Sequence, residues 1–217
     1  MEPHRLTPPA PPSDGLVSFD QLLVATGNPG KLRELASLFA DLPLRLVSLA
    51  DLEAPLPEPE ETGDTFAANA RLKAMAYATM SGLPCLADDS GFTIAALGGR
   101  PGVLSARAPG GSDAGRVQWA YSELHAAGHR ASAAAFVCAM ALATPDGRVL
   151  HETEGRVDGE VAPAPRGTDG FGYDPMFLYP PTGRTFAEMS RDEKAAVSHR
   201  GAAARAMRTW LARHLGR

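Results

Sequence analysis

Short apolar runs and helix-spaced apolar stripes alternate along this chain, separated by turns that carry glycine or proline. Residues 21–26 hold an apolar run (Leu22, Leu23, Val24, Ala25) that stops at Gly27-Asn28-Pro29-Gly30, beyond which Leu32, Leu35, Leu38 and Phe39 recur at helical spacing. The pattern predicts strand, tight turn, helix. A second strand fits residues 44–49, and the proline-bearing acidic stretch 51–61 predicts an exposed loop. Asp64 or Thr65 can cap a helix whose Phe66, Ala70, Lys73, Ala74 and Tyr77 carry it to about residue 80, with Gly82 as its stop.

Residues 83–87 read as a buried strand that delivers Asp88-Asp89-Ser90-Gly91 at its carboxyl end, and residues 92–97 are expected to return as another strand. A helix is expected over 117–127. The runs 131–144 and 149–157 flank Pro145-Asp146-Gly147, the pattern of a long antiparallel hairpin. Glycine and proline crowd 163–172, a strand-like stretch follows at 176–179, and 195–215 forms a closing helix or helix pair. There is no internal repeat. Strands alternating with helices, then a hairpin, predict an α/β or mixed α+β fold with a mixed sheet.

Composition narrows the function classes. The chain is 44% hydrophobic and 21% charged, as in ordinary globular proteins. A net charge of -4 with the signs intermixed gives no overall field for a nucleic-acid backbone or an anionic membrane. Neither is expected as a partner; a small anionic ligand stays open wherever positive groups converge. No run approaches the ~18 consecutive apolar residues of a membrane span, and a cytoplasmic location is expected. Residues 1–18 carry Pro3, Pro8, Pro9, Pro11 and Pro12 without the apolar stretch of a signal peptide, so a disordered leader is expected there and a single domain over 19–217. Cys85 and Cys138 lie in apolar runs without nearby histidines, which reads as two reduced, buried thiols and no zinc site.

Four polar clusters fall at the joints of these elements. Thr26-Gly27-Asn28-Pro29-Gly30-Lys31 lies where strand gives way to helix, so unpaired N–H groups and the helix dipole favour an anion, and Lys31 adds a full charge. No P-loop signature surrounds it, and an ordinary connecting turn fits these residues as well. Glu60-Glu61-Thr62-Gly63 precedes Asn69 and Lys73, which share one helix face; alone, such an acidic loop is usually just solvated. Asp88-Asp89-Ser90-Gly91 sets two carboxylates where α/β sheets present ligands. Their repulsion falls if a divalent cation sits between them and a phosphate, and only one of the two need face the ligand because successive strand side chains point opposite ways. Gly170-Phe171-Gly172-Tyr173-Asp174-Pro175, with Lys194 and Ser198-His199-Arg200, leaves an aromatic ring unshielded between glycines. Such a ring suits stacking on a base, with Asp174, His199 and Arg200 supplying donors and acceptors for its edge, although Phe171 and His199 taken singly are more often core residues.

In this order the clusters resemble the inosine/xanthosine triphosphate pyrophosphatase family, from about Leu22 to Leu215. The motifs that carry the resemblance are Thr26-Gly27-Asn28 with Lys31, Glu61 to Phe66 with Asn69-Ala70 and Lys73-Ala74, and Leu86 to Gly91. To these add Pro101-Gly102-Val103 with Ser105-Ala106-Arg107, Gly170 to Pro175, and Thr185 to Glu188 leading to Lys194 and Ser198-His199-Arg200. The resemblance implies an elongated mixed sheet flanked by helices, two lobes with a nucleotide cleft between them, a homodimer and Mg²⁺. Position by position, it implies that Thr26, Gly27, Asn28, Pro29, Gly30 and Lys31 bind substrate, that Asp89 is proton acceptor and metal ligand, and that Ser90 touches substrate. Phe171, Gly172, Tyr173, Asp174, Lys194, His199 and Arg200 would complete the nucleotide site, with Glu61 on the metal side and Lys73 on the phosphate side. Leu104 and Ala108 stand where members of the family often carry aromatic residues, so a changed wall is expected beside them.

The expected reaction is hydrolysis of ITP, dITP or XTP to monophosphate and pyrophosphate, with Asp89 directing water to the α-phosphorus and Lys31 and Lys73 stabilising the leaving group. A 6-oxo purine presents an acceptor where adenine presents a donor, so donors on His199 or Arg200 would select the former. Alternatives are a pyrophosphatase of pyrimidine or modified nucleotides, an enzyme that removes only the terminal phosphate, and a nucleotide-binding module without turnover.

Overall fold

The run from Ala133 to Ala143 contains no charged side chain to turn toward water, so it can be a strand only if both its faces are covered. It becomes the long strand β4 (Ala133–Ala143), buried at every position but the first. Around it lie β1 (Gln21–Val24), β2 (Arg45–Ser48), β3 (Cys85–Ile94), β5 (Val149–Val161), β6 (Phe177–Tyr179) and β7 (Arg184–Thr185). Together they form a seven-stranded mixed sheet in the order β2-β1-β3-β4-β5-β6-β7. This architecture is that of a computed structural model, which describes residues 16–27 and 29–216. Most of the expected leader therefore lies outside the described residues. Its end does not: Val17 accepts from Gly216 N at 2.9 Å and donates to His214 O at 2.8 Å, pinning residue 17 to the far end of the chain.

The helices are α1 (Pro29–Leu38), α2 (Phe66–Ser81), α3 (Asp113–Ala126), α4 (Arg191–Val197) and α5 (His199–His214). Of the two capping candidates for α2, Thr65 is the one that caps, accepting from Ala68 N at 3.1 Å, and Gly82 closes the helix in the left-handed region. The closing segment is the helix pair: Ser198 leaves helical geometry between α4 and α5 and caps the latter through Gly201 N. Helix α3 starts four residues earlier than the apolar spacing implies, because its first turn, Asp113 to Arg116, is polar and is set by the Ser112 cap.

Alternation along the strands sorts the core. Leu22, Val24, Leu86, Met140 and Leu142 point to the face packed by α1 and α5, with Leu35, Phe39, Met207 and Leu211. Leu23, Ala87, Ala139 and Ala141 point to the other face, where α2 lays Ala70, Ala74 and Ala78 against them. That second seam is mostly methyl groups, so α2 rides close to the sheet. A third, aromatic cluster (Phe92, Phe136, Tyr173, Phe177, Phe186) fills the opposite end under α3. Cys85 and Cys138 lie on opposite faces, free and buried, as read from the sequence. Burial pushes the Cys85 thiol up to about 12 and raises that of Cys138 as well. Among the described residues no helix is long and apolar enough to cross a membrane.

Asp88-Asp89-Ser90-Gly91 is not a break between two strands: β3 runs straight through it, and residues 95–97 form a 3-10 turn instead of strand. Pairing with β4 keeps the segment extended, Asp88 opposite Met140 and Asp89 opposite Ala139. Gly91 serves close approach here, since a Cβ would meet Ser105 Oγ at 2.5 Å and Gly102 O at 2.6 Å. On its other edge β3 pairs with β1 only at Cys85 and Leu86, so the acidic segment lies just past the end of β1.

Helix α5 is seated by the same means on β5. A Cβ on Gly155 would meet His199 O at 2.0 Å and Ala203 N at 2.6 Å. Gly155→Ala is therefore expected to lower unfolding stability by about 2–3 kcal/mol, read by urea denaturation; a loss below about 0.5 kcal/mol would mean that the helix shifts outward freely.

Candidate active site

Because β3 continues through the acidic pair, its two carboxylates leave the sheet on opposite faces. Asp88 turns toward α1 and α5, where Lys31 Nζ donates to Oδ2 at 2.8 Å and Arg200 Nε stands 3.6 Å from the same oxygen. Asp89 turns toward α2, where Asn69 Nδ2 donates to Oδ2 at 3.1 Å and Lys73 Nζ lies 3.7 Å from Oδ1. Lys73 also donates to Glu61 Oε1 at 2.6 Å, and Arg107 bonds the other oxygen of Glu61. Asn69 is itself fixed by Gly63 N, which donates to its Oδ1 at 2.7 Å. Neighbouring residues thus answer to two separate sets of cations.

The two acids are driven apart in acidity. Burial opposes ionisation of Asp88, yet Lys31 and Arg200 outweigh it and hold the carboxyl below the usual carboxylate range. Burial raises Asp89, Glu61 and Asp88 push the same way, and Lys73 with Asn69 only partly offset them. Such a pair divides the labour: one acid stays ionised as a fixed counter-ion and the other is the better proton acceptor. On Lys73 burial works against the charge, but the hydrogen bond to Glu61 and the fields of Asp89 and Asp88 keep its pKa raised.

Beside this cluster opens a pocket of ≈ 570 Å³, including the part that merges with solvent, lined by Ser90, Ser105, Phe171, Lys194, His199 and Arg200 among others. Arg200 joins the two regions: it donates to Ser90 Oγ at 3.0 Å and its guanidinium carbon lies 5.9 Å from the Phe171 ring. Phe171 is 53% exposed, unusual for so large an apolar side chain, and Lys194 Nζ sits 4.7 Å from its ring centre. Asp174 is turned inward, taking Phe171 N at 2.8 Å and the Lys194 ammonium on one oxygen. Tyr173 is a floor residue, stacked on Phe92 at 5.0 Å with its hydroxyl on Ser105 O. His199 is buried and stacked on Phe136 at 4.9 Å. Burial, then Arg200 and Lys194, drives its pKa well down, so the ring is neutral, and its Nδ1 has no protein partner among the described residues. A buried polar atom left unpaired is costly, and a ligand edge in the pocket could satisfy it.

The structure thus brings together Lys31, Glu61, Lys73, Asp89 and Ser90 around one stretch of β3, and Phe171, Gly172, Tyr173, Asp174, Lys194, His199 and Arg200 around the adjoining pocket. Thr26 and Gly27 belong to the β1–α1 connection, Pro29 and Gly30 open α1, and Asn28 lies outside the described residues. Sequence reasoning gave no site role to Arg107, Asp113 or Arg116. Arg107 reaches Glu61, while Asp113 and Arg116 line the pocket, and Asp113 accepts from Gly172 N at 2.6 Å. Leu104 is 55% exposed and Ala108 buried; the pocket wall beside them is Ser105 and Ala106, so neither shapes it directly.

Among the described residues no three His, Cys, Asp or Glu side chains converge as a metal cage. Asp89 and Glu61, joined through Lys73, offer the sparser set that suits a hard divalent cation taking one or two carboxylates and filling its shell with water and phosphate oxygens.

Known proteins are similar to this chain in sequence and in architecture. The model of the Ham1 family matches residues 22–210. The dITP/XTP pyrophosphatase of Syntrophobacter fumaroxidans is 48% identical over 184 residues, covering 84% of this chain and 78% of that protein. A dITP/XTP pyrophosphatase of Thermus thermophilus is 48% identical over 188 residues, covering 86% of this chain and 89% of that protein. Among solved structures, a HAM1 protein from Coxiella burnetii superposes with a TM-score of 0.84 at 41% identity, covering 89% of this chain and 99% of that one.

The Asp88 environment makes a stability prediction for the metal-free protein. Replacing Asp88 by Asn takes a buried counter-charge away from Lys31 and Arg200 and is expected to cost about 3 kcal/mol near neutral pH. Because the folded pKa is depressed, this contribution is complete above the unfolded value of about 3.9 and is lost as pH falls through the folded one. Urea midpoints of wild type and Asp88→Asn should therefore converge below about pH 4; a pH-independent gap would contradict the charge argument.

Proposed function

The chain belongs to the Ham1 family, and from that premise we propose that it is a nucleoside-triphosphate pyrophosphatase that hydrolyses dITP, ITP and XTP to monophosphate and pyrophosphate. Such an activity clears non-canonical purines from the nucleotide pool. The observation that carries the reading is the contiguity made by Arg200. One side chain touches Ser90, faces Asp88 and borders the Phe171 ring, so a flat base and a polyphosphate tail can be held at once.

Asp89 and Glu61 would hold Mg²⁺, which when bound would supply charge neutralisation and polarisation of phosphate oxygens. The remaining roles fall to the chain. Asp89, the less acidic of the pair and oriented by Asn69, accepts the proton of the water that attacks the α-phosphorus. As the bond from the α-phosphorus to its bridging oxygen breaks, Lys31 and Lys73 take up the charge growing on pyrophosphate. Asp88 holds Lys31 and Arg200 in place without reacting.

On the base side, Phe171 offers its exposed face to the purine while Lys194, His199 and Arg200 present donors. A 6-oxo group can accept from them; the 6-amino group of adenine would meet donor with donor, at about 1–3 kcal/mol for each group left unpaired. Action as a homodimer and a cytoplasmic location rest on the family resemblance alone.

Purified protein with Mg²⁺ is expected to convert ITP and XTP to pyrophosphate, and ATP at least about tenfold less efficiently. Orthophosphate as the product, or equal efficiency on ATP and ITP, would overturn the reading. Asp89→Asn is expected to lower kcat by about 100-fold or more with the fold intact; near-normal turnover would remove Asp89 from the proton-accepting role.

A further inference from the structure

Phe171 owes its position to little side-chain packing for a residue in a binding role: its ring is half-exposed, and the chain around it, Gly170 and Gly172, is left-handed at φ 80 and 62. Besides the Lys194 and Arg200 side chains near its face, the ring depends on the backbone on either side of it. On one side Phe171 N donates to Asp174 Oδ2 at 2.8 Å. On the other, Gly172 N donates to Asp113 Oδ2 at 2.6 Å, a contact spanning 59 positions of sequence. Asp113 is itself well anchored. It occupies the first turn of α3, whose Ser112 cap accepts from Gly115 N at 3.1 Å, and its second oxygen is taken by Arg116.

We propose that Asp113 is a positioning residue for purine binding, the clamp from α3 that fixes the plane of the Phe171 ring through the Gly172 N–H. This deepens the proposed function and rests on its reading of Phe171 as the surface on which the base stacks. Without the clamp the loop keeps its Asp174 anchor and the buried Tyr173, but the segment carrying Phe171 loses its tie to α3 and must be ordered by the substrate, so the cost falls on binding of the base. Asp113 touches none of the groups around Asp89 that are assigned to the chemical step, so kcat is spared.

Two measurements decide it. Amide hydrogen exchange over residues 170–173, made on the full chain without nucleotide, is expected to speed up in Asp113→Ala and to stay near wild type in Asp113→Asn, whose amide oxygen still accepts. Unchanged exchange in Asp113→Ala would overturn the clamp. In steady-state kinetics Asp113→Ala is expected to raise KM for ITP about tenfold with kcat within about twofold, and to leave ribose 5-triphosphate, which has no base, unaffected. A double-mutant cycle with Phe171→Ala should be non-additive, since the clamp acts only through that ring. Additive losses, or an equal loss on ribose 5-triphosphate, would overturn the proposal. If wild type fails to hydrolyse ITP, the proposed function falls, and the exchange measurement still judges the clamp.

Discussion

Two adjacent acids on one strand, Asp88 buried and Asp89 half-buried, are the constraint around which this molecule is arranged. Neither could remain charged there alone, because taking an ion out of water costs several kcal/mol that only close partners return. The extended backbone of β3 separates their demands by sending Asp88 to one face and Asp89 to the other. Helices α1 and α5 must then bring cations to the first, and α2 must bring Asn69 and Lys73 to the second. Replacing both acids together with their cationic partners by well-packed apolar residues would suit the fold as well or better. Under the proposed function their presence in the sheet serves chemistry.

The site exists because the sheet is uneven. Strand β1 stops after pairing with Cys85 and Leu86, while β3 continues beside β4 as far as Ile94. The charged stretch of β3 begins where that neighbour ends, and the turn from β1 into α1 lies at the same level. The aromatic cluster at the far end supports the adjoining pocket from below, with Tyr173 stacked on Phe92 and His199 on Phe136. A polar cluster and an apolar pocket thus share a boundary at Ser90 and Arg200.

Much of this was legible in the sequence where the signal is local. The helical stripe of α2, its Thr65 cap and its Gly82 stop are set by neighbours within one turn, and the unbroken apolar run of β4 has one physical solution. Failures came where distant partners decide. Asp88 to Gly91 has the composition of a turn, and only pairing with β4, some fifty positions later, keeps it straight. Motifs singled out the residues that the structure gathers here, and strand alternation already allowed only one of Asp88 and Asp89 to face a ligand, but which cations each acid meets was not legible. Arg107 on Glu61 and Asp113 on Gly172 are contacts 46 and 59 positions apart, with no pattern in the chain to announce them.

The alanine seam beneath α2 carries a consequence for how this protein can change. Ala70, Ala74 and Ala78 against Ala87, Ala139 and Ala141 act as a spacer of fixed thickness between helix and sheet. Lysine and asparagine side chains have set reach, so the thickness of that layer determines whether Asn69 and Lys73 meet Asp89 at all. Substitution by valine or leucine there would suit an apolar core by type while lifting the helix off its support. Drift at these buried, chemically silent positions would part Asn69 and Lys73 from Asp89, so the methyl layer limits which sequences can keep those contacts.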